Sequence, residues 1–368
     1  MSVRNPGWPE GFAEGAKNRA AVLALASVST LNARRLLELA AETGTASACV
    51  AAVKERGLGG DATRTRLREL DPGTVAGAVA ACGARVVPVG CNEYPGSLHD
   101  LADPPLSLFV RGRDLQEIEP CVSIVGARRC SAVGKEVAQG LGRGLAAAGV
   151  TVVSGGAMGI DTASHEGALA AGGLTLAVLG CGIDIAYPPR NRNLLDRIAS
   201  NGAVISEYPP GVPPEGFHFP ARNRIVAALA EAVVIVEGRA GSGSLITADH
   251  ALDLGRQVFA VPGAVNNPLA EVPLSLIRDG ASMIRDADDL LADMGRLDPG
   301  GAAAVPRGVS EGEEAVLALL TGPTLPEHVA RSLGWDLGDA LRVLLGLEMR
   351  GVIRSAGGRF EHRVGSAK

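Results

Sequence analysis

The spacing of apolar and polar positions changes twice along this chain. From Ala20 to about Val86 the apolar residues recur every three or four positions, in stretches such as "AAVLALASV" and "NARRLLELAAE". That spacing is typical of short amphipathic helices. We therefore predict a small all-α domain over 19–80. The polar, turn-rich segment before it, 1–18, is expected to be a disordered tail.

From Pro120 onward, short apolar runs alternate with amphipathic stretches. The runs include "CVSIVG", "TVVSGG", "LTLAVLG" and "AEAVVIVEG". Fully apolar runs are typical of strands buried on both faces of a parallel sheet, and the intervening helices cover those faces. Two further strands are predicted over 85–89 and 106–111. The pattern predicts an α/β fold, an extended Rossmann-like doubly wound parallel sheet, over 81–295.

The pattern changes again near the C-terminus. The stretch "GRLDPGGAAAVPRGV" has the composition of a linker, which we place at 296–308. Three helical patterns and a hairpin follow, an order that predicts a winged-helix domain over 309–364. Residues 306–368 contain eight Arg or Lys and eight Asp or Glu. Strong duplex binding normally shows a basic face, so we interpret this domain as a protein-contact or regulatory module.

Composition narrows the class of protein. The 368 residues are 46% hydrophobic and carry a net charge of −5, so any polyanion site must be local. Six cysteines without a CxxC pair favour reduced thiols over zinc or disulfides. The N-terminus lacks an apolar signal-peptide core, and no run reaches the roughly 18 apolar residues of a membrane helix. We expect a cytoplasmic protein with no membrane partner.

The loops that follow the strands do not fit a dinucleotide site, although ligands of such sheets bind at these loops. After Gly126 the next glycine is Gly134, so the GxGxxG fingerprint is missing. The second strand of the core ends in "VVSGG", without the acidic residue that would bind the ribose. Dinucleotide binding is therefore disfavoured.

Three of these loops instead share anion-binding chemistry. Arg128 and Arg129 precede a helix whose N-cap is predicted to be Ser131, and Arg239 precedes another helix start. Free backbone N–H groups beside guanidinium groups bind phosphates. The alternative is that Gly and Ser merely form tight strand-to-helix turns. The remaining candidates from these loops are Ser154, Gly155, Ser242, Gly243 and Ser244.

A fourth segment, "EGFHFPARNRIV", adds aromatic residues. Phe217 and Phe219 stand beside Arg222, Asn223 and Arg224. Aromatic side chains next to cations can stack nucleobases while holding phosphates, at about 1–3 kcal/mol per stacked base. The alternative is an aromatic plug in the core with solvated or ion-paired arginines. Spacing alone leaves both interpretations open.

Signals of catalysis are weak in this sequence. There is no GxSxG, HExxH or Walker motif and no telling pair of carboxylates. One alternative function is a Rossmann-like nucleotide hydrolase of phosphoribohydrolase type, for which Glu237 is the nearest candidate carboxylate. Another is a nucleotide-sensing regulator in which the winged helix reads DNA.

The central segment resembles a known family. "SIVGARRCSAVGKEVAQGLGRGL", "VVSGGAMGIDTASHEGALAAGG", "HFPARNRIVAALAEAVVIVEGRAGSGSLITA" and "GRQVFAVPG" are similar, in order, to the DprA/Smf DNA-processing family. The likeness covers about residues 85–290. The family's common layout implies that the helical domain at 19–80 is SAM/HhH-like and that a winged helix follows the central domain.

The resemblance implies a recombination mediator rather than an enzyme, and it implies no cofactor. Such a protein binds and protects incoming single-stranded DNA, forms a homodimer and loads the RecA recombinase, as in natural transformation. Met158 stands where the family usually has a basic residue, which predicts roughly one unit less salt dependence. The DNA-binding positions of the family map onto Gly126, Arg128, Ser131, Phe219, Arg222, Asn223 and the loop Ser242, Gly243, Ser244.

Overall fold

The computed structural model describes residues 7–28, 33–296 and 310–362, except for 321, 323, 350, 351 and 357. The chain divides into two compact units, residues 1–285 and 286–368. Apart from Arg296, the predicted linker at 296–308 lies outside the described residues. So do positions 309, 363 and 364 of the predicted winged-helix domain.

The first unit begins with a group of helices whose ends are set by local capping. Thr45 accepts a hydrogen bond from the Ala48 N–H, and Gly57, at φ 63°, ends the same helix in a left-handed conformation. Asp71 caps the last helix of the group through the N–H groups of Gly73 and Thr74. The described helices are α1 (Gly15–Ala26), α2 (Ala33–Thr43), α3 (Ala46–Arg56), α4 (Gly60–Glu69) and α5 (Pro72–Ala81).

The segment 7–18 is folded, so the prediction of a disordered tail is wrong there. Phe12 is 1% exposed, and its ring lies 5.1 Å from that of Trp8. The Trp8 indole N–H donates to the Pro104 carbonyl at 3.1 Å. The two aromatic rings anchor a segment that its polar composition made appear loose. Residues 1–6 lie outside the described part of the chain.

One sheet of nine strands, counted over the described residues, forms the centre of the first unit. The strand order is β1-β2-β6-β5-β4-β3-β7-β8-β9. Strands β3 to β9 run parallel, whereas β2 is antiparallel to both β1 and β6. The strands are β1 (Arg85–Pro88), β2 (Ser107–Gly112), β3 (Cys121–Val125), β4 (Thr151–Ser154), β5 (Thr175–Leu179), β6 (Ala203–Ser206), β7 (Ala232–Ile235), β8 (Gln257–Ala260) and β9 (Ser282–Met283).

Helices cover both faces of this sheet, which confirms the predicted doubly wound Rossmann-like fold. The chain runs from β3 outward to β6 and then returns to β7, so the switch point lies between β3 and β7. Ligands of such sheets bind at the carboxyl ends of the strands beside the switch point. The helices are α6 (Ala132–Ala147), α7 (Ile160–Ala170), α8 (Arg192–Asn201), α9 (His218–Ala228), α10 (Gly243–Asp253) and α11 (Glu271–Arg278).

The second unit contains the predicted winged helix. A capping box between Ser310 and Glu313 starts its second helix, and Gly334, at φ 66°, ends the third. Its last three helices and its final hairpin enclose a core that includes Val316, Leu344 and Phe360. The described elements are α12 (Ala287–Asp293), α13 (Glu311–Leu319), α14 (Pro326–Leu333), α15 (Leu337–Met349), β10 (Ile353–Ala356) and β11 (Arg359–His362).

A helix that spans a membrane needs about 20 consecutive, predominantly apolar residues. Among the described residues, no single helix is long and apolar enough to cross a membrane. Helices α2 and α3 meet the length and composition criteria only together, and they are bent by 113° at their junction.

Candidate nucleic-acid interface

The loops after β3, β4, β5 and β7 lie side by side because these strands are neighbours in the sheet. We call residues 126–131, which follow β3, the Arg128 loop. It touches the loop after β4, since the Ile160 N–H donates to the Ala127 carbonyl at 3.2 Å. A Cβ atom at Gly159 would lie 2.7 Å from the Arg128 carbonyl oxygen. These two predicted phosphate-binding loops therefore form one continuous surface.

An aromatic and cationic stack stands on this surface. The exposed Arg128 guanidinium lies 5.1 Å from the centre of the Phe219 ring. Tyr187, 39% exposed, stacks on the same ring at 5.2 Å with an angle of 30° between the planes. Together with Met158 and Cys181 they line a pocket of about 90 Å³. Cation–π contacts hold a guanidinium in place while leaving its N–H groups free for phosphate.

Local sequence explains how Phe219 comes to this position. Helix α9 begins at His218, so Phe219 lies in its first turn, directly beside the end of β5. A Cβ atom at Gly180 would lie 2.9 Å from the Phe219 ring, so the loop after β5 has no room for a side chain at that position. Phe217, which is 67% exposed, does not line this pocket. The more exposed of the two phenylalanines is thus outside the stack.

Arg222 forms the floor of the pocket rather than its rim. It is 5% exposed, and its Nη1 donates to the carbonyls of Gly155, at 2.6 Å, and Val178. Burial lowers the pKa of Arg222, and the neighbouring Asp161 carboxylate opposes that change. Gly155 leaves the necessary room, because a Cβ atom there would collide with the guanidinium. Arg222 therefore joins the ends of β4 and β5 beneath the interface.

Two predicted DNA contacts are wrong because their polar groups are used internally. Arg224 is 7% exposed and forms ion pairs with Asp103, at 3.0 Å, and Glu207, at 2.9 Å. Burial by itself lowers the pKa of Arg224, but these carboxylates raise it above its ordinary value. Ser154 is fully buried, and its hydroxyl donates to the Ile124 carbonyl at 2.6 Å.

The third predicted loop is connected to α9. Ser242 is the N-cap residue of α10, and its hydroxyl shares a 2.7 Å hydrogen bond with that of Ser244. The Asn223 side-chain amide donates to the Gly243 carbonyl at 3.0 Å. Arg239 is exposed ahead of this loop. Asn223 thus fixes the α10 N-terminus against the helix that carries Phe219.

Glu237, at the end of β7, is a site residue that sequence reasoning treated only as a weak catalytic candidate. It is 7% exposed. Its Oε2 accepts from the Ser131 N–H at 2.9 Å, and its Oε1 accepts from the Ser131 hydroxyl at 2.6 Å. The same hydroxyl accepts from the Gly134 N–H, which confirms Ser131 as the N-cap of α6. The only sequence signal was an acidic residue directly after an apolar strand.

In the part of the chain that the structure describes, no three His, Cys, Asp or Glu side chains are grouped so as to hold a metal ion. All six cysteines are free thiols. Burial raises the pKa of the Cys181 thiol, at the edge of the pocket, to about 11. That thiol is therefore protonated at neutral pH.

Comparison with known proteins identifies the family. Residues 85–295 match the family model described as DNA recombination-mediator protein A, and residues 301–359 match the DprA winged helix domain. The chain belongs to the DprA/Smf family. The DprA protein of Streptococcus pneumoniae is 44% identical over 205 residues, which cover 54% of this chain and 71% of that protein.

Two solved DprA structures are similar to this one. The X-ray structure of DprA from Streptococcus pneumoniae has a TM-score of 0.66 and 33% identity, and the match covers 76% of this chain and 98% of that one. A structure of DprA from Helicobacter pylori, described for its single-stranded DNA binding mode, has a TM-score of 0.53 and 30% identity. That match covers 58% of this chain and 98% of the other.

Proposed function

We propose that this chain is a recombination mediator that binds single-stranded DNA along the carboxyl edge of β5, β4, β3 and β7. The stack of Arg128, Phe219 and Tyr187 carries this proposal, because it offers a base-stacking surface and a free guanidinium at one place. Two further exposed arginines add to the cationic edge, Arg129 within the Arg128 loop and Arg239 ahead of α10. The family's structure from Helicobacter pylori supports single strands as the ligand.

We infer further that the bound strand is protected and passed to the RecA recombinase by a homodimer of this chain, as in natural transformation. Membership of the DprA/Smf family supports these steps. We also propose that the protein acts without catalysis, since Glu237, the hydrolase candidate, is occupied by Ser131. A RecA assembly assay on single strands, with and without the protein, tests the loading step, and analytical ultracentrifugation tests the dimer.

The winged helix is proposed to make protein contacts rather than to read DNA. On its recognition helix α15, Arg342 is ion-paired with Asp339 at 2.6 Å, so this guanidinium is already neutralised. Helix α15 carries Asp339 and Glu348 against the single cation Arg342, so it lacks the basic face that duplex binding normally shows. This observation counts against the regulator in which the winged helix reads DNA.

Fluorescence anisotropy with single-stranded DNA, duplex DNA and mononucleotides across a salt series tests the DNA proposal. We expect tight, salt-sensitive binding to single strands, and a loss of roughly tenfold or more in Arg128→Ala. Arg143→Ala is the matched control, because Arg143 is exposed on α6 roughly 16 Å further along the helix. A preference for a mononucleotide, or equal losses in both variants, would contradict the proposal.

A further inference from the structure

Glu237 places a negative charge at the edge proposed to bind phosphates. Its carboxylate holds the Ser131 N–H and hydroxyl at the start of α6. A helix N-terminus beside the switch point is where Rossmann-like folds usually place a ligand phosphate. Here a side chain of the chain itself occupies that position. A buried carboxylate repels DNA phosphates. If Glu237 belongs to the DNA interface, it must therefore favour binding in some other way.

The glycines around the Arg128 loop make room for Glu237 rather than for a ligand. A Cβ atom at Gly134 would lie 2.5 Å from Glu237 Oε2. A Cβ atom at Gly126 would lie 2.9 Å from the Glu237 carbonyl oxygen. The family resemblance placed Gly126 among the DNA-binding positions. The contacts of both glycines show that the loop is shaped around the end of β7.

The Arg128 loop is thereby held on two sides. On one side Glu237 binds Ser131, three positions after Arg128. On the other side the Ala127 carbonyl accepts from the Ile160 N–H at the start of α7. Arg128 lies between these attachments, with its guanidinium over Phe219. Hydrogen bonds to a carboxylate are about twice as strong as neutral ones, so the Glu237 side is the stronger attachment.

We propose that Glu237 is a positioning residue of the DNA interface. It fastens the Arg128 loop to the end of β7, which keeps Arg128 on the Phe219 ring, and it fills the anion position at the start of α6, which keeps DNA phosphates outside the switch-point crevice. The proposal rests on the DNA-binding function proposed above. The proposal predicts that removal of the Glu237 carboxylate weakens DNA binding. Simple electrostatics predicts the opposite, because removal of a carboxylate strengthens binding to a polyanion.

The test measures binding of a labelled oligo-dT to Glu237→Ala, Glu237→Gln and Glu136→Gln by anisotropy at fixed ionic strength. Glu136 is exposed on α6, so Glu136→Gln removes the same charge without touching the loop. We expect affinity to fall about tenfold in Glu237→Ala and about threefold in Glu237→Gln, since Gln retains one of the two contacts. Glu136→Gln is expected to bind as tightly as the wild type or slightly more tightly.

Chemical rescue provides the second measurement. Acetate supplies a carboxylate that fits the space left in Glu237→Ala, so replacing chloride by acetate at equal ionic strength should restore several-fold affinity there and change nothing in the wild type. A purely structural role for Glu237 would not respond to acetate. If Glu237→Ala does not fold, the comparison of Glu237→Gln with Glu136→Gln decides.

The proposal is overturned if Glu237→Gln binds single strands as tightly as Glu136→Gln, or if a folded Glu237→Ala is unaffected by acetate. Either result would still leave wild-type binding and the Arg128→Ala loss in place, so the proposed function would stand. Failure of the wild type to prefer single strands would instead remove the proposed function itself.

Discussion

Two layers of side chains meet at the carboxyl edge of the sheet, and they differ in what surrounds their arginines. In the upper layer, Arg128 is exposed over Phe219, and Tyr187 stacks on the same ring. In the lower layer, Arg222 is buried next to Asp161, at the ends of β4 and β5. The upper layer presents a cation and aromatic surface to solvent. The lower layer satisfies its charges internally.

Within one short segment, this difference separates residues that face the ligand from residues that support the site. Phe219 and Arg222 are three residues apart on α9, yet one lines the pocket from the side and the other forms its floor. Arg224, two residues further on, lies about 200° around the helix and pairs with Asp103 and Glu207. Residue type suggested a similar role for all three residues, but their burial and their bonding partners give them different roles.

Removal of the lower-layer cation should have the largest effect, and it should act on stability. In Arg222→Met the Asp161 carboxyl is left buried without its opposite charge, so we expect the free energy of unfolding to fall by about 3 kcal/mol. Denaturant unfolding followed by circular dichroism measures this loss.

The double variant Arg222→Met with Asp161→Asn provides the control. It removes both charges, so it should recover much of the lost stability. The opposite outcome would contradict the assignment of Arg222 to the lower layer. If Arg222→Met keeps the wild-type stability and instead loses DNA affinity, Arg222 belongs to the upper layer.

Removal of the Phe219 ring, in the upper layer, should weaken DNA binding and leave the free energy of unfolding nearly unchanged. We expect Phe219→Ala to weaken binding to single strands by about 2 kcal/mol, roughly thirtyfold, because one base loses its stacking surface. Phe217→Ala is the matched control, since Phe217 is more exposed but does not line the pocket. Similar losses in both variants, measured by anisotropy, would count against a specific stacking site.

The fold was predictable because its signals are local. Apolar runs alternating with helical patterns indicated the doubly wound sheet, and Ser131 was recognisable as a helix cap from residue type and position. The interface was only partly predictable for the same reason. Arg128 and Phe219 come from segments far apart in the sequence, and no local pattern states that one lies over the other.

The errors share one physical cause, which is that long-range partners are invisible in a local pattern. Arg224 was assigned to DNA because its partners Asp103 and Glu207 lie in distant segments. For the converse reason, Tyr187 was missed and Glu237 was considered only as a hydrolase candidate. Each is an isolated residue in its own segment and gains its role only from Ser131 and Phe219, respectively.

The lower layer should also respond to acid, through His165. Burial and the nearby Arg222 lower the pKa of His165 to about 3, and its Nδ1 contacts the Thr175 hydroxyl at 2.6 Å. The unfolded chain binds a proton at the ordinary histidine pKa, so this contribution to stability is present above about pH 6.5 and is lost as pH falls toward 3.

We therefore expect His165 to cost the protein about 2 kcal/mol of unfolding free energy between pH 7 and pH 5. Denaturant unfolding at the two pH values measures the change, and His165→Asn should reduce it. His250→Asn, which alters a half-buried histidine on α10, serves as the matched variant. An unchanged pH dependence in His165→Asn would show that other groups cause the acid response.

The smallest effect concerns a cation missing from the upper layer. Met158 lines the pocket beside Arg128, and the family resemblance predicted a basic residue at this position. Met158→Lys should add one phosphate contact, so the slope of log affinity against log salt should become steeper by about 0.7. Met283→Lys adds the same charge at a 52% exposed position on β9, and we expect it to leave the slope nearly unchanged. Counterion release counts only those cations that lie against the strand, so an equal steepening in both variants would contradict binding at the upper layer alone.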